Sequence, residues 1–242
     1  MKKFFAIPLL ALNCSLAHAQ VGEQRYDFAV GVNGGCVLNR ISFNPTIKQT
    51  WKPGATFGLT ARYVCEKYFN MICAVQAEVN FTQMGWREII ETSSDTYERT
   101  INYIQVPLLA RLGFGRELRG AQGYLVLGPQ IGFRMTDSDK RTGAWTSNEQ
   151  HTGTLDLRPN NVTQQYDLPI QRSFDYGITG GLGVEFSTAI GHFMAEGRYY
   201  FGLSDIFNNG KKDAFGRSAH GAIVAKVTYL FGISKTQGAK RK

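Results

Sequence analysis

Twelve residues near the C-terminus, HGAIVAKVTYLF, restrict the possible folds more than any other part of the chain. Gly221, Ile223, Ala225, Val227, Tyr229 and Phe231 are apolar or small and fall on odd positions. His220, Lys226 and Thr228 fall on even ones. Strict period two is the pattern of a strand with unlike faces. A lysine inside so apolar a segment needs a polar environment on its own side of the sheet.

The pattern recurs upstream. In FMAEGRYYFGLSD, Phe193, Ala195, Gly197, Tyr199, Phe201 and Leu203 share one face, and Met194, Glu196, Arg198, Tyr200 and Ser204 the other. FDYGITGGLGVEF sets Phe174, Tyr176, Ile178, Leu182, Val184 and Phe186 against Asp175, Thr179 and Glu185. YLVLGPQIGFR, NYIQVPLLARLGF, AVQAEVNFT, TFGLTARYVCE and YDFAVGVNGGC read the same way, with Arg134, Arg111, Glu78 and Arg62 on the polar phases. Eight strands result, and each meets the ~9–11 residues a tilted membrane-crossing strand needs. Their connections alternate. Positions 67–71, 115–120 and 187–191 are short turns; positions 37–53, 87–99, 135–171 and 204–218 are long and polar.

No segment after the N-terminus holds 18 continuous apolar residues, so a spanning helix is not expected. The other spanning solution is a closed barrel. The expected fold is therefore all-β: an eight-stranded antiparallel up-and-down transmembrane β-barrel with short periplasmic turns and longer extracellular loops. Phe174, Tyr176, Tyr199, Phe201, Tyr229 and Phe231 fall near strand ends on the outward face, where interfacial aromatic girdles lie.

The N-terminus reads as an export signal. MKK is basic, FFAIPLLALNCSLA is a short apolar stretch, and Ala17-His18-Ala19 is an A-x-A cleavage site. Residues 1–19 are expected to be removed, 20–233 to form the barrel, and 234–242 to be a flexible basic tail. A lipoprotein signal acylated at Cys14 is the rival reading, but Asn13 stands where a small residue is wanted. Of the 27 lysines and arginines, Lys2 and Lys3 leave with the signal, giving a mature charge of 25 − 19 = +6. These basic residues are scattered through strands and the chain is exported, so nucleic acid is not an expected partner. Cys65 and Cys73 flank a short turn at a spacing that allows a disulfide, leaving Cys36 over; three reduced thiols are the alternative.

The polar phases place Arg62, Glu78, Arg111, Arg134, Glu185, Glu196, Arg198 and Lys226 toward the lumen. Facing lipid at mid-depth, an arginine or lysine would cost ~2–4 kcal/mol. Facing one another, these side chains can pair and fill an eight-stranded interior, which is just wide enough for side chains. Catalysis has little support. The mature chain has His151, His192 and His220; His220 with Ser218 or Asp205 at one rim is the nearest approach to a hydrolase set, and ordinary rim polarity explains it. His and Cys are too dispersed for a metal site, and GVNGG and GITGGLG open no helix that could cradle phosphate. Neither metal nor cofactor is expected. Those glycines instead make room inside a narrow barrel or let strands bend.

FAVGVNGG, AVQAEVNFTQMGW, INYIQVPLLARLGF, GYLVLGPQIGFRM, FDYGITGGLGVEF and EGRYYFGLSDIF, in this order, resemble the PorT-like outer-membrane β-barrel family of Bacteroidetes bacteria. The most specific elements are Y-x-x-x-P-L-L at Tyr103–Leu109, G-P-x-x-G at Gly128–Gly132 and R-Y-x-x-G-L-S-D at Arg198–Asp205. The resemblance spans residues 25–233 and implies an outer-membrane barrel of about eight strands, with little implied about activity. Many such barrels end on an aromatic that the assembly machinery reads. Here eleven residues follow Phe231, which moves that signal inward to Tyr229–Phe231.

The expected protein is a non-enzymatic barrel in the outer membrane, with a structural, adhesive or accessory role through its long loops and a lumen plugged by ion pairs. Its expected partners are outer-membrane lipid, the assembly machinery, and surface or envelope proteins. The alternatives are a soluble periplasmic lipocalin-like barrel holding a small apolar ligand, and a narrow pore or transport accessory.

Overall fold

The computed structural model describes residues 23–44, 46–89, 96–115, 120–142, 169–207 and 216–234. Residues 1–19, expected to be a signal, and residues 235–242 of the expected tail lie outside this set, as do residues 143–168 of the third long loop. The strands are β1 (Glu23–Asn44), β2 (Gln49–Thr50), β3 (Lys52–Tyr68), β4 (Met71–Ile89), β5 (Thr96–Gly115), β6 (Gly120–Thr142), β7 (Phe174–Ser187), β8 (His192–Gly202) and β9 (Arg217–Ser234). Apart from the two-residue β2, which pairs with the end of β4, each strand is hydrogen-bonded to two antiparallel neighbours. The order β1-β3-β4-β5-β6-β7-β8-β9 returns to β1 through the β1–β9 pairing, so eight long strands form a ring.

The faces follow the polarity of the side chains. Leu59, Leu127, Leu182 and Val227 on the outside are all more than 60 % exposed. Inside, at the same depth, Arg62, Glu78, Glu185 and Lys226 are buried. An apolar exterior around a charged interior is the reverse of a soluble ligand-binding barrel, and it removes the lipocalin-like alternative. The apolar belt runs about eleven residues along a strand: outward positions are apolar or small from Phe28 to Leu38 on β1 and from Met71 to Phe81 on β4. Ring pairs mark its two rims, with Phe57–Phe81 and Phe133–Phe174 centroids 5.2 and 5.3 Å apart at one and Phe193–Tyr229 at 5.0 Å at the other.

The strands depart from the expected eight of 9–11 residues. β8 has 11, but β6 reaches 23, and β2 is an addition. The excess lies at the long-loop end, where β1 continues to Asn44, β3 starts at Lys52, β4 runs to Ile89 and β5 starts at Thr96. Much of the expected loops 37–53 and 87–99 is therefore strand. Above the belt the faces exchange character. On β1, Arg40, Ser42 and Asn44 point out while Ile41 and Phe43 are buried inside, so these extensions stand in water around an apolar interior.

Of the two readings of the cysteines, the structure has the reduced one: Cys36, Cys65 and Cys73 are free thiols, and the possible Cys65–Cys73 bridge is not formed. The register pairs Glu66, not Cys65, with Cys73, and a bulge between Val64 and Glu66 takes Cys65 out of the ladder. In the tight turn that follows, Phe69 adopts the left-handed conformation at φ 54°.

Candidate functional site: a two-layered lumen

Toward the short turns, the interior is a network of charges. Glu78 on β4 accepts Arg198 Nη2 at 2.8 Å, Gln76 and Asn80 amides at 2.8 Å each, and Lys226 Nζ at 2.5 Å. Glu196 on β8 lies beside Lys226 at 3.6 Å and Arg198 at 2.5 Å, and accepts the Tyr124 hydroxyl at 2.7 Å. Glu185 on β7 takes Arg62 at 2.5 Å, pairs with Arg111, and meets His192 Nδ1 at 2.7 Å. The Arg111 guanidinium stacks 3.6 Å from the Tyr124 ring centroid. Three carboxylates thus hold four permanent cations from six strands. Buried charges persist where they are paired and their remaining hydrogen-bonding capacity is used. A recess of about 50 Å³ opens at the short-turn mouth and ends on Arg62, Gln122, Glu185 and His192.

Glycines make this packing possible. GITGGLG places Gly177, Gly181 and Gly183 on the inner phase of β7. A Cβ at Gly183 would stand 2.5 Å from the Tyr124 ring, and one at Gly181 would be 2.9 Å from Arg198 Cγ. The bare backbone of β7 is where the two large residues from β6 and β8 fit.

Arg134 departs from the other seven expected lumen charges. It is half-buried above the network and pairs with Asp137 at 2.7 Å. The ladder slips between Asn102 and Tyr103, so Arg134 faces Tyr103 and the inward phase of β6 ends there. Asp137 also holds Arg99, a buried arginine that the sequence reading missed because it fell in an expected loop. Lys52, buried and 3.1 Å from Glu98, was missed for the same reason. The alternation Tyr97, Arg99, Ile101 was the available signal.

Above the charges lies a polar step and then an apolar cap. Asp175 accepts the Tyr200 hydroxyl at 2.7 Å and is bonded to Ser204, while the Tyr103 hydroxyl lies 3.2 Å from His220 Nε2. Asp205 instead accepts the Phe207 N–H at 3.1 Å, fixing the turn after β8. At this rim Ser204 bonds to Asp175, and His220 is buried against Tyr103. That turn inserts Ile206 and Phe207 into the mouth, tied by Ile206 N–H to the Ser218 carbonyl at 3.0 Å. Phe207 meets Trp86 edge-on at 6.3 Å, and Trp86 meets Phe43 at 5.5 Å. Ile41, Ile47, Tyr97, Ile101 and Ile170 complete the cap. Among the described residues there is no cluster of ligands for a metal ion, and no helix long and apolar enough to cross a membrane.

Residues 18–208 match the family model for the outer membrane protein beta-barrel domain. The chain belongs to that family. Its members are outer-membrane proteins, and the apolar belt around this ring is the surface that meets the bilayer. No curated protein matches the outer membrane beta-barrel chain. Among solved structures it is similar to OprG of Pseudomonas aeruginosa (15 % identity, 87 % of this chain and 96 % of that one, TM-score 0.48). Neisserial surface protein A is another (13 %, 86 % and 100 %, TM-score 0.43). A third is Ail, the attachment invasion locus protein of Yersinia pestis, solved with the heparin analogue sucrose octasulfate (13 %, 85 % and 99 %, TM-score 0.39).

Proposed function

We propose that this outer-membrane barrel is a non-catalytic protein of PorT-like type whose lumen is closed to ion flow, and that it works through its long-loop end. The observation that carries this reading is the filling of the lumen in two unlike layers, ion pairs at belt depth and an aromatic cap above. A permeating ion would have both to separate Glu78 from Lys226 and Arg198 and to displace Trp86 and Phe207. In the network Ser187 Oγ and Glu185 both meet the same nitrogen of His192, Nδ1, at 2.9 and 2.7 Å, so the imidazole does not bridge serine and carboxylate through its two nitrogens as a proton relay requires. The strand extensions beyond the belt support a structural, adhesive or accessory role, because they raise the long loops clear of the lipid on the side we assign to the cell exterior. Export by cleavage after Ala19 and insertion by the outer-membrane assembly machinery belong to the same reading.

Planar-bilayer recording tests it. The purified protein is expected to give no steady conductance, and Trp86→Ala combined with Phe207→Ala to give only brief small openings, since the ionic layer remains. Large steady channels in the unmodified protein would overturn the closed lumen and favour a narrow pore.

A further inference from the structure

Arginines beyond the belt are paired unevenly around the ring. On β4–β6, Arg87 meets Glu98 at 2.6 Å, Arg134 meets Asp137 at 2.7 Å and Arg141 meets Asp139 at 2.6 Å. On the opposite side, Arg40 of β1 and Arg217 of β9 have no carboxylate partner among the described residues. Each lies over an aromatic ring instead, Arg40 at 4.9 Å from Trp51 and Arg217 at 5.8 Å from Phe201. Arg217 Nη2 also donates to the Gly202 carbonyl at 3.3 Å.

The register brings these groups together. Arg40 and Phe201 both pair with Gly221, so they flank it in one row across three strands. A Cβ at Gly221 would come 3.1 Å from the Tyr199 hydroxyl and 3.9 Å from Arg40 Cγ. The stem of Arg40 and the Tyr199 hydroxyl thus converge on the bare backbone of Gly221, and Arg217 leans toward the same row over Phe201.

Directly below, on the same strands, an open groove of about 480 Å³ crosses the belt. Its floor is Gly34, Cys36, Ala195, Gly197 and Ala225, and a Cβ at Gly197 would meet nothing within 4 Å. Cys36 lies four residues before Arg40, about 13 Å along the strand. The groove faces hydrocarbon, and the arginines sit at its upper edge.

We infer that this face binds an anionic, phosphate-bearing lipid of the outward leaflet, with the phosphate held by Arg40, Arg217 and the Tyr199 hydroxyl over Gly221 and an acyl chain lying in the groove. Guanidinium groups suit phosphate geometrically, and two without a carboxylate among the described residues, beside a bilayer, have room for a counter-anion supplied by the lipid. The groove supplies what a free anion could not use. On the ion-paired side, Arg87, Arg134 and Arg141 already have their carboxylates.

Native mass spectrometry of the refolded full chain in micelles reads the outcome, using phosphatidylglycerol and phosphatidylcholine with identical acyl chains. The unmodified protein is expected to retain phosphatidylglycerol preferentially. Arg40→Gln with Arg217→Gln should erase that preference by roughly fivefold for each arginine removed. Arg87→Gln, on the ion-paired side, should leave it unchanged. Gly197→Leu should weaken retention of both lipids alike, since it blocks the groove and leaves the cations. Heat-modifiable migration of each variant on a detergent gel confirms that it has folded. Equal retention of the two lipids, an unchanged preference in the double variant, or displacement of phosphatidylglycerol by equimolar inorganic phosphate would each overturn the inference.

Discussion

Replacing Glu78 by glutamine keeps the shape of the side chain and removes one charge from the middle of the lumen. Glu78 and Glu196 together hold Arg198 and Lys226, so the cluster is balanced at two against two. The variant leaves two buried cations on one carboxylate. All four side chains are almost wholly shielded from solvent, so screening by water does not make up the loss. Breaking a buried pair from one side costs ~3–5 kcal/mol, which is about 100- to 5000-fold in the unfolding equilibrium. Urea titration in micelles, followed by the fraction that keeps the faster unboiled migration, measures it. Lys226→Met alone should also destabilise the barrel, but Glu78→Gln combined with Lys226→Met restores a one-to-one balance between Glu196 and Arg198. The double variant should recover more than half of the Glu78→Gln loss; the coupling is that recovery plus the cost of Lys226→Met alone, so at least ~2 kcal/mol. A single-variant cost below ~1 kcal/mol, as for an exposed ion pair, with additive changes in the cycle, would refute the reasoning. It would mean that the lumen is wet at belt depth, and the closed reading would fail with it.

Two further predictions concern shape and pH. Gly183→Val should abolish the heat-modifiable band, because its Cβ would meet the Tyr124 ring at 2.5 Å and the Ala195 carbonyl at 2.8 Å, whereas Gly197→Ala should fold normally; equal behaviour of the two would count against the packed interior. Glu98 stands beyond the belt, where partial burial raises its carboxyl but hydrogen bonds from Arg87 and Lys52 outweigh this and hold it below its ordinary value. Its contribution to the β4–β5 extension is therefore present at neutral pH, above the unfolded-state value, and is lost as pH falls through the depressed folded-state value. After correction for the intrinsic pH dependence of exchange, protection of the amides at positions 87 and 98 should fall on acidification in the native protein and change little in Glu98→Gln; identical profiles would contradict this.

How much of this was legible in the sequence depended on which solvent each stretch of strand faces. At belt depth one rule suffices: residues that tolerate hydrocarbon point out, and a slip of one residue would turn Lys226 or Arg198 into lipid. Above the belt the outside is water, and the rule inverts. Phe43, Trp86 and Tyr97 then point inward, and Arg40 and Arg87 outward, within segments that also look polar enough to be loops. That inversion hid the cap and the buried Lys52 and Arg99. Arg134 keeps the inward phase but stands above the network for a different reason: the ladder slip opposite Tyr103 is a local backbone event that period counting cannot see. The insertion of Ile206 and Phe207 depends on a turn fixed by Asp205 and on the Ser218 carbonyl, contacts between positions that no periodicity links.

The β1–β9 pairing gives the ring its closure, and it also sets the order of events in folding. Ala29 pairs with Gly232 across 232 − 29 = 203 residues, while every other neighbouring pair is joined by a turn or a single loop. Each doubling of loop length adds only ~0.6 kcal/mol of closure entropy, so the equilibrium cost of the seam is modest. The kinetic consequence is larger, because contacts so distant in sequence form late. Until then both β1 and β9 expose unpaired backbone edges. Gly31 and Gly35 admit no larger residue at this seam, since a Cβ at either would stand 1.7 and 2.1 Å from the Tyr229 and Ala225 carbonyl oxygens. A final zipping of the first strand onto the last is thus the expected slow step of folding.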